Sequence, residues 1–194
     1  MNKNIEHYVF HKENFLDEKY CENCIDELDK CTWKKHGWYN SASDSSEGLS
    51  GDNEPEILNR DMFSYNIGKI NDFIIRELRS TIKEYIESLK FDWFDGWTGY
   101  SSIRFNRYFS GQIMQRHCDH IYDMFDGERK GIPILSMVGI LNDDYEGGEF
   151  IMFGDKKIDT KKGDLLIFPS NFLYPHEITP VTKGVRYSYV SWVW

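Results

Sequence analysis

The chain has 194 residues, enough for one domain to bury a sizeable core without disulfide cross-links. Its formal charge of −9, with Lys and Arg scattered in runs of no more than two, argues against a nucleic-acid surface, which needs clustered cations. No apolar stretch approaches the roughly 20 residues of a bilayer span and Met1–His7 lacks the apolar segment of a signal peptide, so the expectation is a soluble, cytoplasmic protein with no membrane partner.

Aromatic residues make up 16% of the chain, and together with many β-branched neighbours they suit a β-dominated core. In chain order, residues 5–11 read as a short strand. From about Phe15 to Lys30 the apolar positions Leu16, Tyr20, Cys24, Ile25 and Leu28 recur at helical spacing, with Asp17 and Glu18 in the first turn. Cys21-x-x-Cys24 and Cys31 fall in this segment. The pair could suggest zinc or redox chemistry, but no second pair at matching spacing follows, and small apolar packing residues are the simpler reading. A strand is expected over Thr32–Tyr39. The polar stretch 40–56, with almost nothing to bury, reads as a long mobile loop, either a lid over a site or a plain surface insertion. Ile67 to Leu89 carries apolar residues at helical spacing and predicts a long core-facing helix.

From about residue 99 the pattern changes to short apolar runs between Gly, Pro, Asn and Asp: Tyr100–Phe109, Ile113–Cys118, Ile132–Leu141, Glu149–Phe153, Asp164–Phe168, Tyr174–Ile178 and Val185–Trp194. That count and spacing predicts a double-stranded β-helix, or jelly roll. The expected organisation is mostly β with supporting α-helices, as a single domain over 1–194: N-terminal helical support over about 1–98, packed on a jelly-roll core over about 99–194.

The chemistry concentrates in Tyr108–Asp119. His117 and Asp119 are two residues apart and in an extended backbone project from the same face, while Cys118 between them points to the opposite face as a core residue. A His-x-Asp triplet alone is often an ordinary hydrogen-bonded pair. Its company here is a Gly147-Gly148-Glu149 turn, a second histidine, His176, in a β-rich run, and Arg186 ten residues later. Two His and one carboxylate on a β scaffold form the facial set that suits Fe(II) and leaves one side of the metal open.

On these motifs the sequence resembles the 2-oxoglutarate and Fe(II) dependent dioxygenase superfamily, in particular its prolyl 4-hydroxylase branch. The branch pattern Tyr-x-x-Gly-x-x-Tyr-x-x-His-x-Asp reads here Tyr108-x-x-Gly111-x-x-Met114-x-x-His117-x-Asp119, with Met114 in place of the second tyrosine. Tyr145-Glu146-Gly147-Gly148-Glu149, Gly163 to Ser170, His176 and Thr179 to Arg186 match the distal half. The resemblance implies His117, Asp119 and His176 as metal ligands, with no catalytic side chain beyond the metal centre. It implies Fe(II), 2-oxoglutarate and O2 as reaction partners, with ascorbate as a reductant. Arg186 is then the anchor for the far carboxylate of 2-oxoglutarate, because its planar fork holds a carboxylate through two bonds; a surface salt bridge is the plainer alternative. Ser188 shares its strand face. Tyr108 is placed for a co-substrate hydrogen bond, and Ser136, with Val138 and Ile140 on its face, borders the same pocket. Arg104 and Asn106, on the face of Tyr108, could touch substrate. So could Trp192, on the face of Arg186, although a packed core tryptophan reads equally well.

The expected reaction is hydroxylation of an aliphatic C–H, first of a prolyl residue in a peptide or protein, with succinate and CO2 as co-products. The alternative is hydroxylation of a free amino acid or small metabolite at the same iron site. A third reading is a jelly-roll binding module without catalysis.

Overall fold

Alternation along the strands divides the fold into two cores and decides which side chains can reach a site. The structure, a computed structural model, describes residues 4–40, 45–55, 66–91, 93, 96–97, 99–119 and 133–194, with 34–40 and 45–55 described by backbone alone. A 3-10 turn (Ile5–Tyr8) leads to β1 (Phe10–Lys12), α1 (Glu18–Leu28), a hairpin of β2 (Trp33–Asn40) and β3 (Ser45–Pro55), and α2 (Ile67–Leu89). There follow β4 (Arg104–Tyr108), β5 (Met114–His117), β6 (Leu135–Ile140), β7 (Glu146–Gly147) and β8 (Phe150–Met152). The chain ends through β9 (Lys156–Ile158), β10 (Leu165–Pro169), β11 (His176–Ile178), β12 (Val181–Lys183) and β13 (Arg186–Val193).

A major antiparallel sheet runs in the order β1-β10-β6-β13-β4, a minor sheet in the order β5-β11-β8-β9, and β12 pairs with β7. On the major sheet Leu135, Met137, Leu165, Ile167, Tyr187, Tyr189 and Val193 face the helices and join α1 and α2 in one core. The alternate residues Val138, Ile140, Leu166, Phe168 and Val190 pack with Phe150, Met152 and Ile178 of the minor sheet in a second core. A period of two thus sends every other residue of β4, β6 and β13 into the space between the sheets.

The helices cover the outer face for readable reasons. Asp17 caps α1, its side chain accepting from the Tyr20 backbone N–H at 2.8 Å, so it lies just before the first turn in which it was expected. Cys21, Cys24 and Leu28 are buried beneath it. Burial pushes the Cys21 and Cys24 thiols up to about 12, so they remain apolar packing groups. The α2 helix buries Ile67, Ile70, Ile74, Leu78, Ile82 and Tyr85 along one stripe. Gly139 on β6 lies opposite Tyr189 on β13, and a Cβ there would fall 1.9 Å from the tyrosine ring, so the glycine is what lets the ring cross the sheet.

Some expectations are corrected. Residues 5–11 are a 3-10 turn followed by a three-residue strand, and that strand extends the major sheet, so the N-terminal support is not wholly helical. The stretch 40–56 is not simply a loop, since residues 45–55 pair with β2 through a shifted register. Backbone pairing needs no apolar side chain, which is why polarity misled there. The short strands β7, β9 and β12 went unread because two or three residues carry no measurable alternation. Trp194 exchanges two backbone hydrogen bonds with Gly99 and closes the chain end on the barrel.

Buried polar groups make the stability of this frame testable. Asp164, 4% exposed, accepts from His11 Nε2 at 2.8 Å and from the backbone N–H groups of Asn14 and Lys161. The Tyr189 hydroxyl is buried without a partner among the described residues. Asp164→Ala should therefore cost roughly 3 kcal/mol by stranding three donors, whereas Tyr189→Phe should be neutral or stabilise by about 1 kcal/mol. Urea unfolding midpoints at unchanged m-value check both directions.

Candidate metal centre

In the minor sheet β11 pairs antiparallel with β5, and His176 falls opposite His117. Their rings lie with centroids 4.4 Å apart. Asp119 sits beyond the end of β5, in a bend rather than on the strand, yet its side chain still turns to the same point. Its Oδ1 is 3.2 Å from His117 Nε2 and 3.6 Å from His176 Nε2. One ligand atom from each residue lies within 4.8 Å of the others.

Each imidazole is aimed by its own chain. His117 Nδ1 lies 2.7 Å from the carbonyl of Gln115, and His176 Nδ1 lies 3.1 Å from that of Tyr174. A carbonyl can only accept, so Nδ1 carries the proton in both rings and Nε2 faces the centre. Phe150 stacks on His176 and Phe168 meets its edge, which fixes the ring plane. The sequence reading missed these four supports. The two carbonyls share a signal, since each belongs to the residue two before its histidine.

The electrostatics favour a cation. Burial would raise the Asp119 carboxyl, but His176 and His117 outweigh it and hold the group well below the usual carboxylate range. Burial lowers the His176 imidazole, and the pull of Asp119 only partly offsets it. At His117 burial also works to lower the value, but Asp119 beside it prevails and raises it. Both nitrogens of His117 then face acceptors, and a divalent ion between the three donors would take the place of the Nε2 proton. One carboxylate and two imidazoles on one side of such an ion suit Fe(II) and leave the other side open.

On the inner face of the major sheet, Arg186 is 1% exposed. Its Nη1 donates to Ser188 Oγ at 2.7 Å, while the buried Nε has no partner among the described residues. A Cβ at Gly148, where φ is +60°, would come within 3.0 Å of Arg186 Cδ, so the Gly-Gly turn clears room for this side chain. Tyr108 lies opposite Arg186 in the register, its ring 5.6 Å from the guanidinium carbon, and burial raises its phenol against the pull of Arg186. Asn106, buried, lies opposite Ser188. The Arg104 guanidinium stands 5.5 Å from the Trp192 ring, whose buried Nε1 has no described partner. Ser136, opposite Trp192, lies with its Oγ 2.8 Å from Ser170 Oγ. Cys118 is half-buried, its thiol 3.6 Å from the Phe172 carbonyl, rather than in the core as expected, because the strand ends at His117.

A family model described as "2OG-Fe(II) oxygenase superfamily" matches residues 103–194. A PKHD-type hydroxylase of Stenotrophomonas maltophilia is 34% identical over 99 residues, 48% of this chain and 43% of that protein. Another of Alteromonas mediterranea is 36% identical over 98 residues, 46% and 41%. The chain thus spans about two fifths of the length of the curated relatives it matches. Among solved structures, the viral collagen prolyl hydroxylase of Paramecium Bursaria Chlorella virus-1, as a 2OG complex, gives a TM-score of 0.61 at 18% identity, covering 96% of this chain and 94% of that one. A Trichoplax adhaerens prolyl hydroxylase, in complex with a hypoxia inducible factor oxygen degradation domain peptide fragment, gives 0.63 at 19%, covering 96% and 83%. At such identities these neighbours carry the fold, and it is the jelly roll expected. No described helix is long and apolar enough to cross a membrane.

The raised His117 value has a sign that can be measured. Above it the ring is free to bind a metal; as pH falls through it, protons compete for Nε2, while the lowered His176 value places any second competitor at more acid pH. Mn2+ affinity should therefore be full at alkaline pH and weaken by about tenfold per pH unit below that value. Titration from pH 8 to 5.5, following free Mn2+ by electron paramagnetic resonance, checks the slope.

Proposed function

We propose that the chain, whose residues 103–194 match the family model of the 2OG-Fe(II) oxygenase superfamily, is a 2-oxoglutarate-dependent dioxygenase hydroxylating a prolyl residue of a peptide or protein. The observation that carries this reading is the pairing of three converging donors with a buried guanidinium that lacks a carboxylate partner among the described residues. His117, Asp119 and His176 would hold Fe(II), and the 2-oxoglutarate carboxylate far from the metal would complete Arg186. When bound, the metal and co-substrate supply, with O2, the oxidising power that replaces a C–H bond with C–OH and releases succinate and CO2.

The chain's own part is binding, orientation and exclusion of water. Arg186 offers a planar fork, already turned by its bond to Ser188, so little ordering remains when a carboxylate arrives. Tyr108 presents a neutral phenol beside the guanidinium, a donor to the same carboxylate. Ser136 borders this pocket on the Asp119 side. Arg104, Asn106 and Trp192 line the remaining inner wall, and the indole offers a flat apolar surface to a pyrrolidine with an unused N–H at its edge.

The peptide reading is supported by the Trichoplax enzyme of the same fold, which was solved with a peptide fragment. Ascorbate fits as an external reductant for such a centre. Four free thiols suit the reducing cytoplasm, the setting proposed here.

Purified protein with Fe(II) and 2-oxoglutarate should release succinate when given proline-containing peptides and not free amino acids, with His117→Ala as the blank. Stimulation by free amino acids alone would move the activity to small metabolites, and no stimulation by either would end the prolyl reading. Arg186→Ala should raise the 2-oxoglutarate concentration needed for half-maximal rate on the order of a hundredfold, leaving the iron requirement nearly unchanged.

A further inference from the structure

The loop from Ser170 to Pro175 joins the end of β10 to the start of β11, so it crosses from the major sheet to the minor one directly before His176. It is tied along its length. The backbone N–H of Ser170 donates to the carbonyl of Ile134, and Asn171 builds the turn that follows: its Oδ1 accepts from the Leu173 N–H at 2.9 Å and its carbonyl from the Tyr174 N–H at 3.0 Å. Tyr174 is buried, its hydroxyl donating to the Ile5 carbonyl. The Phe172 carbonyl receives the thiol of Cys118, which lies between two of the metal donors, and the Tyr174 carbonyl aims His176. The loop is thus fastened to both arms of the metal centre.

Its two central side chains nevertheless stand in solvent. Phe172 is 77% exposed and Leu173 44%. Ile134, which the Ser170 hydrogen bond brings to the same loop, is 39% exposed. These are three of the five large apolar side chains exposed among the described residues. A single exposed leucine is ordinary, but apolar groups gathered in one place mark a contact surface. The turn itself does not call for them, because Asn171 and backbone groups make its hydrogen bonds and polar residues at 172 and 173 would leave those intact.

We infer that Phe172 and Leu173, with Ile134 beside them, form an apolar lip that docks an apolar side chain of the substrate peptide close to the residue hydroxylated, and so determine specificity. This deepens the reading of the chain as a peptide hydroxylase and rests on it. An extended peptide rises about 3.3 Å per residue, so the neighbours of a residue held at the metal lie over the loops that carry its donors, and this loop leads into His176. Other occupants fit less well. The formal charge of −9 sets a second copy of the chain, or an anionic bilayer, against like charge, whereas a neutral peptide meets no such opposition.

The test is fluorescence anisotropy of labelled peptides with one central proline flanked by leucine, serine or aspartate, titrated with the wild-type chain, F172A/L173A, F172L and W93A in the presence of Mn2+ and 2-oxoglutarate. The wild type should bind the leucine-flanked peptide about tenfold more tightly than the serine-flanked one. F172A/L173A should erase that preference, F172L should keep most of it, and W93A, which removes an exposed ring stacked on Phe91, should keep all of it. In succinate release with Fe(II), F172A/L173A should raise the KM for the leucine-flanked peptide about tenfold at nearly unchanged kcat and 2-oxoglutarate requirement. Equal binding of the three peptides by the wild type would overturn the inference, as would a preference that survives F172A/L173A or one that W93A loses equally, since the latter reports general apolar adhesion. A patch whose loss turns a dimer into a monomer on size-exclusion chromatography, with peptide KM unchanged, would assign it to a second copy and overturn the inference too. Succinate release driven by free amino acids and by no peptide would instead overturn the peptide reading itself, and the inference with it.

Discussion

The register between β5 and β11 is the constraint from which the rest of the site follows. Placing His176 opposite His117 brings together two imidazoles that are 59 residues apart in sequence, and a slip of one residue would send one of them to the other face of the sheet. The pairing is held on both sides, since β11 also pairs with β8, where Met152 lies opposite His176 and Phe150 opposite Ile178. Phe150 and Phe168 then close on the His176 ring from the core between the sheets. The apolar packing that stabilises the barrel is thus the same packing that aims the His176 ring.

Around that register the two sheets divide the work. The minor sheet carries both histidines, while the major sheet carries the polar inner face of Arg104, Asn106 and Tyr108 on β4 and Arg186, Ser188 and Trp192 on β13. Burying such groups is costly unless each finds a partner. Arg186 finds one in Ser188 and leaves Nε unmet, and Trp192 leaves Nε1 unmet. Unmet donors inside a well-packed jelly roll are the mark of a surface shaped for something other than its own stability. Tyr189, on the opposite face of the same strand, shows the contrast: its hydroxyl is unmet too, but Gly139 and the helices enclose it and it faces no polar wall.

How much of this was legible follows from the length and periodicity of each signal. The α2 helix was read to its ends because 23 residues repeat one apolar stripe. The strands carrying Arg186 and Tyr108 were read because alternation put polar groups on one side and Tyr189 and Phe105 on the other. His117 and Asp119 were read as one strand face, whereas the strand stops between them; the convergence survived because the side chain, not the backbone, completes the turn. The hairpin partner at 45–55 was illegible, since its pairing rests on backbone groups that every residue possesses. Ser170 was missed for a related reason. Its buried contact is with a hydroxyl 2.8 Å away that lies 34 residues off in sequence, and nothing in its local sequence carries that distance.

The glycines of the Gly147-Gly148 turn decide where Arg186 sits. Both take positive φ, and a Cβ at Gly147 would strike the Pro180 carbonyl at 2.2 Å, so the turn can press against the segment leading into β12. That closeness lets β7 pair with β12, and three residues after β12 the chain enters β13 with Arg186 turned inward beneath Gly148. A larger residue at either glycine would push the segment outward and carry the guanidinium with it, leaving the histidines, set by a different pairing, where they are. The proposed anion anchor and the proposed cation site are therefore mechanically separable in this fold: the first depends on a backbone turn that only glycine permits, the second on a strand register that apolar packing enforces.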